Sequence, residues 1–319
     1  MPFRFKRYEG NPILTPVSRH FWESLMVFNC AALLKSDKIH LLYRGRGSKG
    51  GVSKLGYASS TDGFQIEKRL NGPVFEPDPG NELECYGCED PRLVEIGDKI
   101  YLSYTAYGRV PSLVPSFDSI QIAITSISTR DFLEHRWNWG RRVYPFPVVD
   151  NKHACIFPEK IGGRWVMYHR IPPHIWVAYS NDLLNWKETS IVLSPKEKWE
   201  YFKLGGGAPP IKTKDGWLFI YHAVDREWHY RLGAALVDLN NPERILKRSK
   251  DPILEPEEEY EVQGIVPNVV FTCGAVIMDD QVFLYYAGAD TVICLATAEV
   301  SELIGSLEDV ETERSGKRP

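Results

Sequence analysis

The chain has 319 residues, 43% of them apolar, with 38 basic and 42 acidic side chains and a net charge of -4. That composition supplies a sizeable core. It weighs against nucleic acid or an anionic membrane as the main partner, but not against a small anionic ligand, because local field matters more than net charge. The opening MPFRFKRYEGNPIL has no apolar signal core, no run approaches the ~18 residues of a membrane span, and six cysteines with no secretory context read as reduced thiols, so a cytoplasmic protein is expected.

Taken in chain order, the elements repeat one pattern five times. The first copy is CAALLKSDKIHLLYRGRG (30–47), followed by KLGYASSTDGFQIEKR. The second is DPRLVEIGDKIYLSYTAYG (90–108) with IQIAITSISTRDFLEHR. The third is ACIFPEKIGGRWVMYHR (154–170) with IWVAYSNDLLNWKE. The fourth is APPIKTKDGWLFIYHAVD (208–225) with YRLGAALVDLNNPERILKR. The fifth is GAVIMDDQVFLYYAGAD (274–290) with TVICLATAEVSELI. A period of roughly 50–65 residues points to an array or propeller. In each copy two strands flank an Asp- or Gly-containing hairpin turn (KSDKI, EIGDKI, EKIGGRW, KTKDGW, MDDQ). The strand after the turn is rich in aromatic and branched residues, as a strand buried on both faces is. A third strand carries small residues, and a fourth, outer strand follows.

Four strands in each of five units fit a five-bladed β-propeller forming one domain, 1–319, with no long helix. Radial closure leaves only short, protected sheet edges. The likeness of EGNPIL to KDPILEP suggests that an N-terminal strand completes the last blade. Even spacing disfavours a pair of β-sandwiches.

A propeller brings the ends of its inner strands together at the central channel. Polar residues there form the candidate site. Glu89 and Asp90 precede Pro91 and enter the second blade; in an extended segment their side chains point to opposite sides. The plain alternative is an acid pair that caps a turn. Basic residues stand at matching positions of other blades: Arg44 and Arg46, Lys152 and His153, His169 and Arg170, and His222. Arginine forks and lysine point charges suit phosphate oxygens, so an anionic guest is expected, against solvated or paired charges as the alternative. The chain holds 16 Tyr and 9 Trp. Tyr86, Tyr104, Tyr107, Tyr221, Tyr285, Trp22 and Trp199 lie near turns or strand ends, where rings can stack on sugars or simply fill core. Gly205, Gly206 and Gly207 allow close backbone approach, or a tight channel mouth, but no GK[ST] follows to make a phosphate-binding loop. Cys85 and Cys88 lack two further ligands at zinc spacing, so no metal is expected.

The motifs NPIL (11–14), YRG (43–45), LGYASSTDG (55–63), GCEDPR (87–92), YTAY (104–107), FPEK (157–160), HR (169–170), GGGAPP (205–210), YHAVD (221–225) and YRLGAALVDL (230–239) span nearly the whole chain. Together they resemble glycoside hydrolase family 130, five-bladed propellers acting on β-mannosides. The resemblance implies Asp90 as proton donor and Lys152, Arg170 and His222 as phosphate ligands, with His153 beside Lys152. Arg44, Glu89, Arg92, Tyr104, Tyr107, Asp225 and Asp290 are expected to contact the sugar. It implies inverting phosphorolysis of a terminal β-mannosidic bond by inorganic phosphate, giving α-D-mannose 1-phosphate and a shortened acceptor. No metal or redox cofactor is needed. Phosphate is itself the nucleophile, so one protein acid replaces the two carboxylates of an inverting hydrolase. A β-1,2-linked mannoside is favoured slightly over β-1,4-mannooligosaccharides, mannosyl-glucose or mannosyl-N-acetylglucosamine. The rivals are a β-mannosidase using water and a sugar-binding propeller without turnover. The expected partners are a β-mannoside and phosphate, with no nucleic acid or membrane, and the oligomeric state, homo-oligomer included, stays open.

Overall fold

The computed structural model describes residues 2–48, 50–110, 117–147 and 149–310; the expected domain ends, residue 1 and residues 311–319, lie outside them. Five antiparallel sheets form the five blades of the propeller, one per sequence repeat. Blade one is Met26–Lys35, Lys38–Arg46, Lys54–Ser60 and Lys68–Arg69. Blade two is Gly87–Ile96, Lys99–Val110 and Phe117–Ser128. Blade three is Lys152–Ile156, Trp165–Ile171, His174–Ser180 and Lys187–Leu193. In blade four the first strand is split into Lys203–Gly206 and Ile211–Lys212, because Pro209 and Pro210 have no N–H to give the ladder. Trp217–Val224, Tyr230–Val237 and Ile245–Arg248 follow, and Glu308–Asp309 adds an outermost strand. Blade five is Val270–Met278, Gln281–Gly288 and Val292–Glu299, and it is completed by Lys6–Arg7 from the N-terminus, as the repeated NPIL segment suggested.

The expected hairpin turns form. Ser36 and Asp37 sit at φ 51° and 54°, and Asp279 and Asp280 at 51° and 60°. Two successive left-handed residues match the twist of the flanking strands. Blade two departs from the four-strand expectation. After its third strand the chain makes a short helix, Thr129–Leu133, whose first turn is capped by the Ser128 hydroxyl. The outer place is then held by a single bridge, Ile124 to Val143.

Four blades share a polar clamp that the repeats do not advertise. A buried glutamate precedes the first strand: Glu23, Glu84, Glu200 and Glu261, each with no exposed surface. Its carboxylate accepts the hydroxyl of a second-strand tyrosine, respectively Tyr43, Tyr104, Tyr221 and Tyr286. It also pairs with an arginine at the outer-strand position, respectively Arg69, Arg142, Arg248 and Arg7. Each clamp therefore ties the segment leading into a blade to that blade's second and outer strands. Arg7 plays this part for blade five and so helps lock the ring shut. In blade three Tyr168 donates instead to the Pro242 carbonyl.

The same geometry explains two glycines. Trp22 stacks on Tyr43 and Trp199 on Tyr221. A Cβ at Gly56 would lie 2.5 Å from both Trp22 and Tyr43, and one at Gly233 would lie 2.5 Å from Tyr221. Trp22 and Trp199 are thus clamp packing, their indole N–H groups donating to the Asn71 and Lys250 carbonyls, and not the sugar platforms allowed for at the outset.

Candidate active site

Three first strands carry the same bulge. Two residues oppose one on the second strand: Asn29 and Cys30 opposite Tyr43, Asp90 and Pro91 opposite Tyr104, His153 and Ala154 opposite His169. The first residue of each pair is left-handed, with φ 48° at Asn29, 48° at Asp90 and 62° at His153. A bulge bends its strand and re-aims the side chain. Asn and Asp tolerate this backbone well; His does so less often. All three residues line one cavity of about 350 Å³, together with Arg44, Ile120, Lys152, Arg170, Lys203, Tyr230, Val266, Val269, Phe271 and Asp290.

This geometry corrects the expectation that Glu89 and Asp90 face opposite ways. Pro91 would ordinarily hold Asp90 extended, but the bulge and two donors on the carboxylate hold it left-handed. Asn29 Nδ2 donates to Asp90 Oδ1 at 2.8 Å, and Arg44 Nη1 donates to the same oxygen at 3.1 Å. Arg44 Nη2 donates to Glu89, so both acids turn to one guanidinium. Arg44 is fixed further by Ser53 Oγ at 2.9 Å and by the Phe28 ring beneath it. Burial pushes the Asp90 carboxyl up, but Arg44, Lys152 and the Asn29 amide together hold it below the usual carboxylate range. On its other side, His153 Nε2 stands 3.9 Å from Asp90 Oδ2.

Asp290, at φ 50°, faces the same cavity. Burial lifts its carboxyl to about 7; Arg44 and Lys152 pull it down while Asp90 pushes it up. The two acids are therefore shifted in opposite directions, Asp90 held ionised and Asp290 pushed toward its protonated form.

Opposing them is a cluster of cations. No ion pair engages Lys152, Arg170 or Lys203 among the described residues. Burial lowers the Lys152 ammonium, an effect deepened by Arg170 and offset by Asp90. Burial, Arg170 and Lys152 lower Lys203 to about 8. Arg170 Nε, His153 Nδ1 and Asn29 Oδ1 are buried and have no partner. Buried polar groups are normally satisfied. Unpaired cations and orphaned polar atoms around one cavity are what a site for an anionic, hydroxyl-rich ligand requires.

Of the expected site residues, Arg44, Asp90, Lys152, His153, Arg170 and Asp290 meet at this cavity. The others do not. His222 is buried behind the wall, its ring against His153 and Phe271, and burial with Arg170 and Arg92 nearby holds it well below the usual imidazole range. His222 pairs flat with Gly205, one layer behind the cavity lining, and both of its ring nitrogens are buried with no partner, as His153 Nδ1 is. Arg92 is buried and crosses the ring, donating to the Gly206, Gly207 and Asp90 carbonyls. Tyr104 belongs to the blade-two clamp. Tyr107 pairs with Tyr86 and donates to Asp118 outside the cavity. Asp225 pairs with Arg231 and accepts the Glu227 and His229 N–H groups, capping its own turn. Glu89 acts at one remove, through Arg44.

Other basic and aromatic candidates are also structural. Arg46 binds the Gly51 carbonyl, His169 bonds Asn151, and the Tyr285 hydroxyl donates to the Gly63 carbonyl. Asn29, Lys203 and Tyr230 were missed. Asn29 was legible in principle, since FNC in copy one aligns with EDP in copy two.

Comparison with known proteins finds matches over nearly the whole chain. The family model Glyco_hydro_130, described as beta-1,4-mannooligosaccharide phosphorylase, matches residues 4–309. A 1,2-beta-oligomannan phosphorylase of Thermoanaerobacter sp. (strain X514) is 42% identical over 94% of this chain and 99% of its own. A beta-1,2-mannobiose phosphorylase of the same strain is 42% identical over 93% and 98%. The solved beta-1,2-mannobiose phosphorylase of Listeria innocua, in complex with beta-1,2-mannobiose, superposes with a TM-score of 0.79 at 28% identity, over 95% of this chain and 99% of that one.

Proposed function

The chain belongs to glycoside hydrolase family 130, and from that premise we propose that it is an inverting β-mannoside phosphorylase acting on β-1,2-linked mannosides, its ring working as one catalytic unit. The observation that carries the reading is the set of unpaired cations, Lys152, Arg170 and Lys203, on the cavity that also holds Asp90. A site that used only water would have no reason to concentrate buried positive charge there. The β-1,2 linkage rests on the two relatives of 42% identity.

A phosphate oxygen attacks the anomeric carbon of the terminal mannosyl unit as the bond from that carbon to the leaving oxygen breaks. The leaving oxygen takes a proton from Asp90, directly or through a substrate hydroxyl, and Asp90 regains one from the phosphate hydroxyl. Products are α-D-mannose 1-phosphate and a shortened acceptor; atoms and charge balance without a cofactor. Asp90 needs a proton that Arg44 and Lys152 disfavour. Phosphate resolves this, because its negative charge offsets Lys152 and the other cations that keep Asp90 ionised, raising proton affinity as the nucleophile arrives. The cations then stabilise charge on the transferred group. Asp290 in its protonated form donates to a sugar hydroxyl.

Six unpaired cysteines suit a cytoplasmic site of action, and no helix among the described residues is long and apolar enough to cross a membrane. The test is to incubate the protein with β-1,2- and β-1,4-mannobiose, with and without phosphate, and to assay mannose 1-phosphate against free mannose. Phosphate-dependent sugar phosphate from the β-1,2 substrate is expected. Equal mannose release without phosphate would assign Asp290 the part of a hydrolytic base instead.

A further inference from the structure

One rim of the cavity is apolar and uncovered. Phe202 and Trp228 are 45% and 55% exposed, and their rings meet at 4.8 Å. Large apolar residues exposed together on a soluble protein mark a contact surface. These two are joined to the cavity by a specific bridge. The Lys203 ammonium, which lines the cavity, lies 5.3 Å from the Phe202 ring and 5.1 Å from the Trp228 ring. It also lies 5.6 Å from Tyr230, another lining residue. The rings therefore continue the cavity wall outward.

Sequence accounts for their position. Phe202 is the second residue after the clamp glutamate Glu200, so the buried carboxylate fixes the backbone from which the ring projects. Trp228 stands in the turn capped by Asp225, at φ 66°, a costly backbone for an aromatic residue. A strained, exposed tryptophan gains nothing from core packing.

We propose that Phe202 and Trp228 form a stacking platform for acceptor units beyond the scissile disaccharide, so that these two rings are the residues that set this chain's preference for substrate length. The proposal rests on the β-mannoside phosphorylase reading. A cavity of about 350 Å³ is at the small end for a ligand site. An exo-acting phosphorylase releases the terminal unit, so the remaining chain must leave through the mouth. Sugar rings present C–H faces that pack on aromatic rings and a hydroxyl edge that stays wet, which fits rings flanked by the Lys203 ammonium.

The experiment compares kcat/KM for β-1,2-mannotriose and β-1,2-mannobiose at saturating phosphate, in the wild-type protein, Trp228→Ala and Phe202→Ala. The wild-type protein is expected to prefer the trisaccharide. Each variant should lower the trisaccharide-to-disaccharide ratio about three- to tenfold, chiefly through KM. A ratio unchanged in both variants overturns the proposal, whether or not both substrates slow together. So does a wild-type protein that binds the trisaccharide no better than the disaccharide. An unchanged ratio accompanied by a smaller particle in light scattering would assign the rings to contact between copies of this chain, and equally overturn it. Failure of the underlying reading looks different: the wild-type protein then makes no mannose 1-phosphate from either substrate.

Discussion

Replacing Glu200 with alanine tests whether the clamps hold the site. Its carboxylate accepts Tyr221 Oη at 2.7 Å, pairs with Arg248 at 2.7 Å, and accepts the Lys196 and Glu197 N–H groups at 2.9 Å each. Alanine leaves a buried guanidinium without its carboxylate and two backbone donors with nothing to bond. Breaking a buried pair by removing one partner costs about 3–5 kcal/mol. At ~2.1 cal/mol/K per residue, a chain this long has an unfolding entropy near 0.65 kcal/mol/K at its midpoint, so Tm should fall by about 4–8 °C. Glu200→Gln keeps an acceptor for Tyr221 and should lose about half as much. The clamp also fixes the segment that carries Lys203, so the alanine variant should raise KM for phosphate at temperatures well below its melting point. Differential scanning calorimetry and initial rates against phosphate measure the two effects. A Tm within 1 °C of wild type would refute the argument, since it would mean the Arg248 charge is satisfied without Glu200.

Three further outcomes are expected. Asp290 binds its proton more tightly folded, at about 7, than in the unfolded chain, where an aspartate titrates near 3.9. The folded protein therefore carries the extra proton between those values, and stability falls as pH rises from about 4 through about 7. Asp290→Asn should flatten that decline and gain on the order of 2 kcal/mol at pH 8, read from urea melts at pH 5 and pH 8; parallel curves for both proteins would sink the assignment. Lys203 is cationic below about 8, so KM for phosphate should rise above pH 8 in wild type, whereas Lys203→Arg should stay flat to pH 9; identical profiles would remove Lys203 from the phosphate site. Gly233→Ala places a Cβ 2.5 Å from Tyr221 and 2.7 Å from Trp199, and overpacking of this kind costs about 1–3 kcal/mol, so a measured loss under 0.5 kcal/mol would show that the Trp–Tyr stack can yield.

The repeat itself determined the architecture. Hairpin turns need left-handed residues, and second strands buried on both faces need aromatic and branched side chains. Five copies of that chemistry at even spacing leave radial closure as the arrangement without open edges, and the likeness of EGNPIL to KDPILEP pointed to an N-terminal strand that closes the ring. Asp90, Arg44, Lys152 and Arg170 were legible for the same reason, since they stand at equivalent strand ends. What the sequence left open was the direction of each side chain. Arg44 and His222 occupy the same position in their blades, yet Arg44 reaches the cavity and His222 lies behind its wall. In blades one, two and three a bulge adds one residue to the first strand and turns Asn29, Asp90 and His153 into the channel; in blade four Gly205 and Gly206 keep a flat ladder. Strand side chains alternate with a period of two, so one extra residue reverses which face a side chain takes. Local pattern cannot register that reversal, because it arises only when the strand is paired with its neighbour.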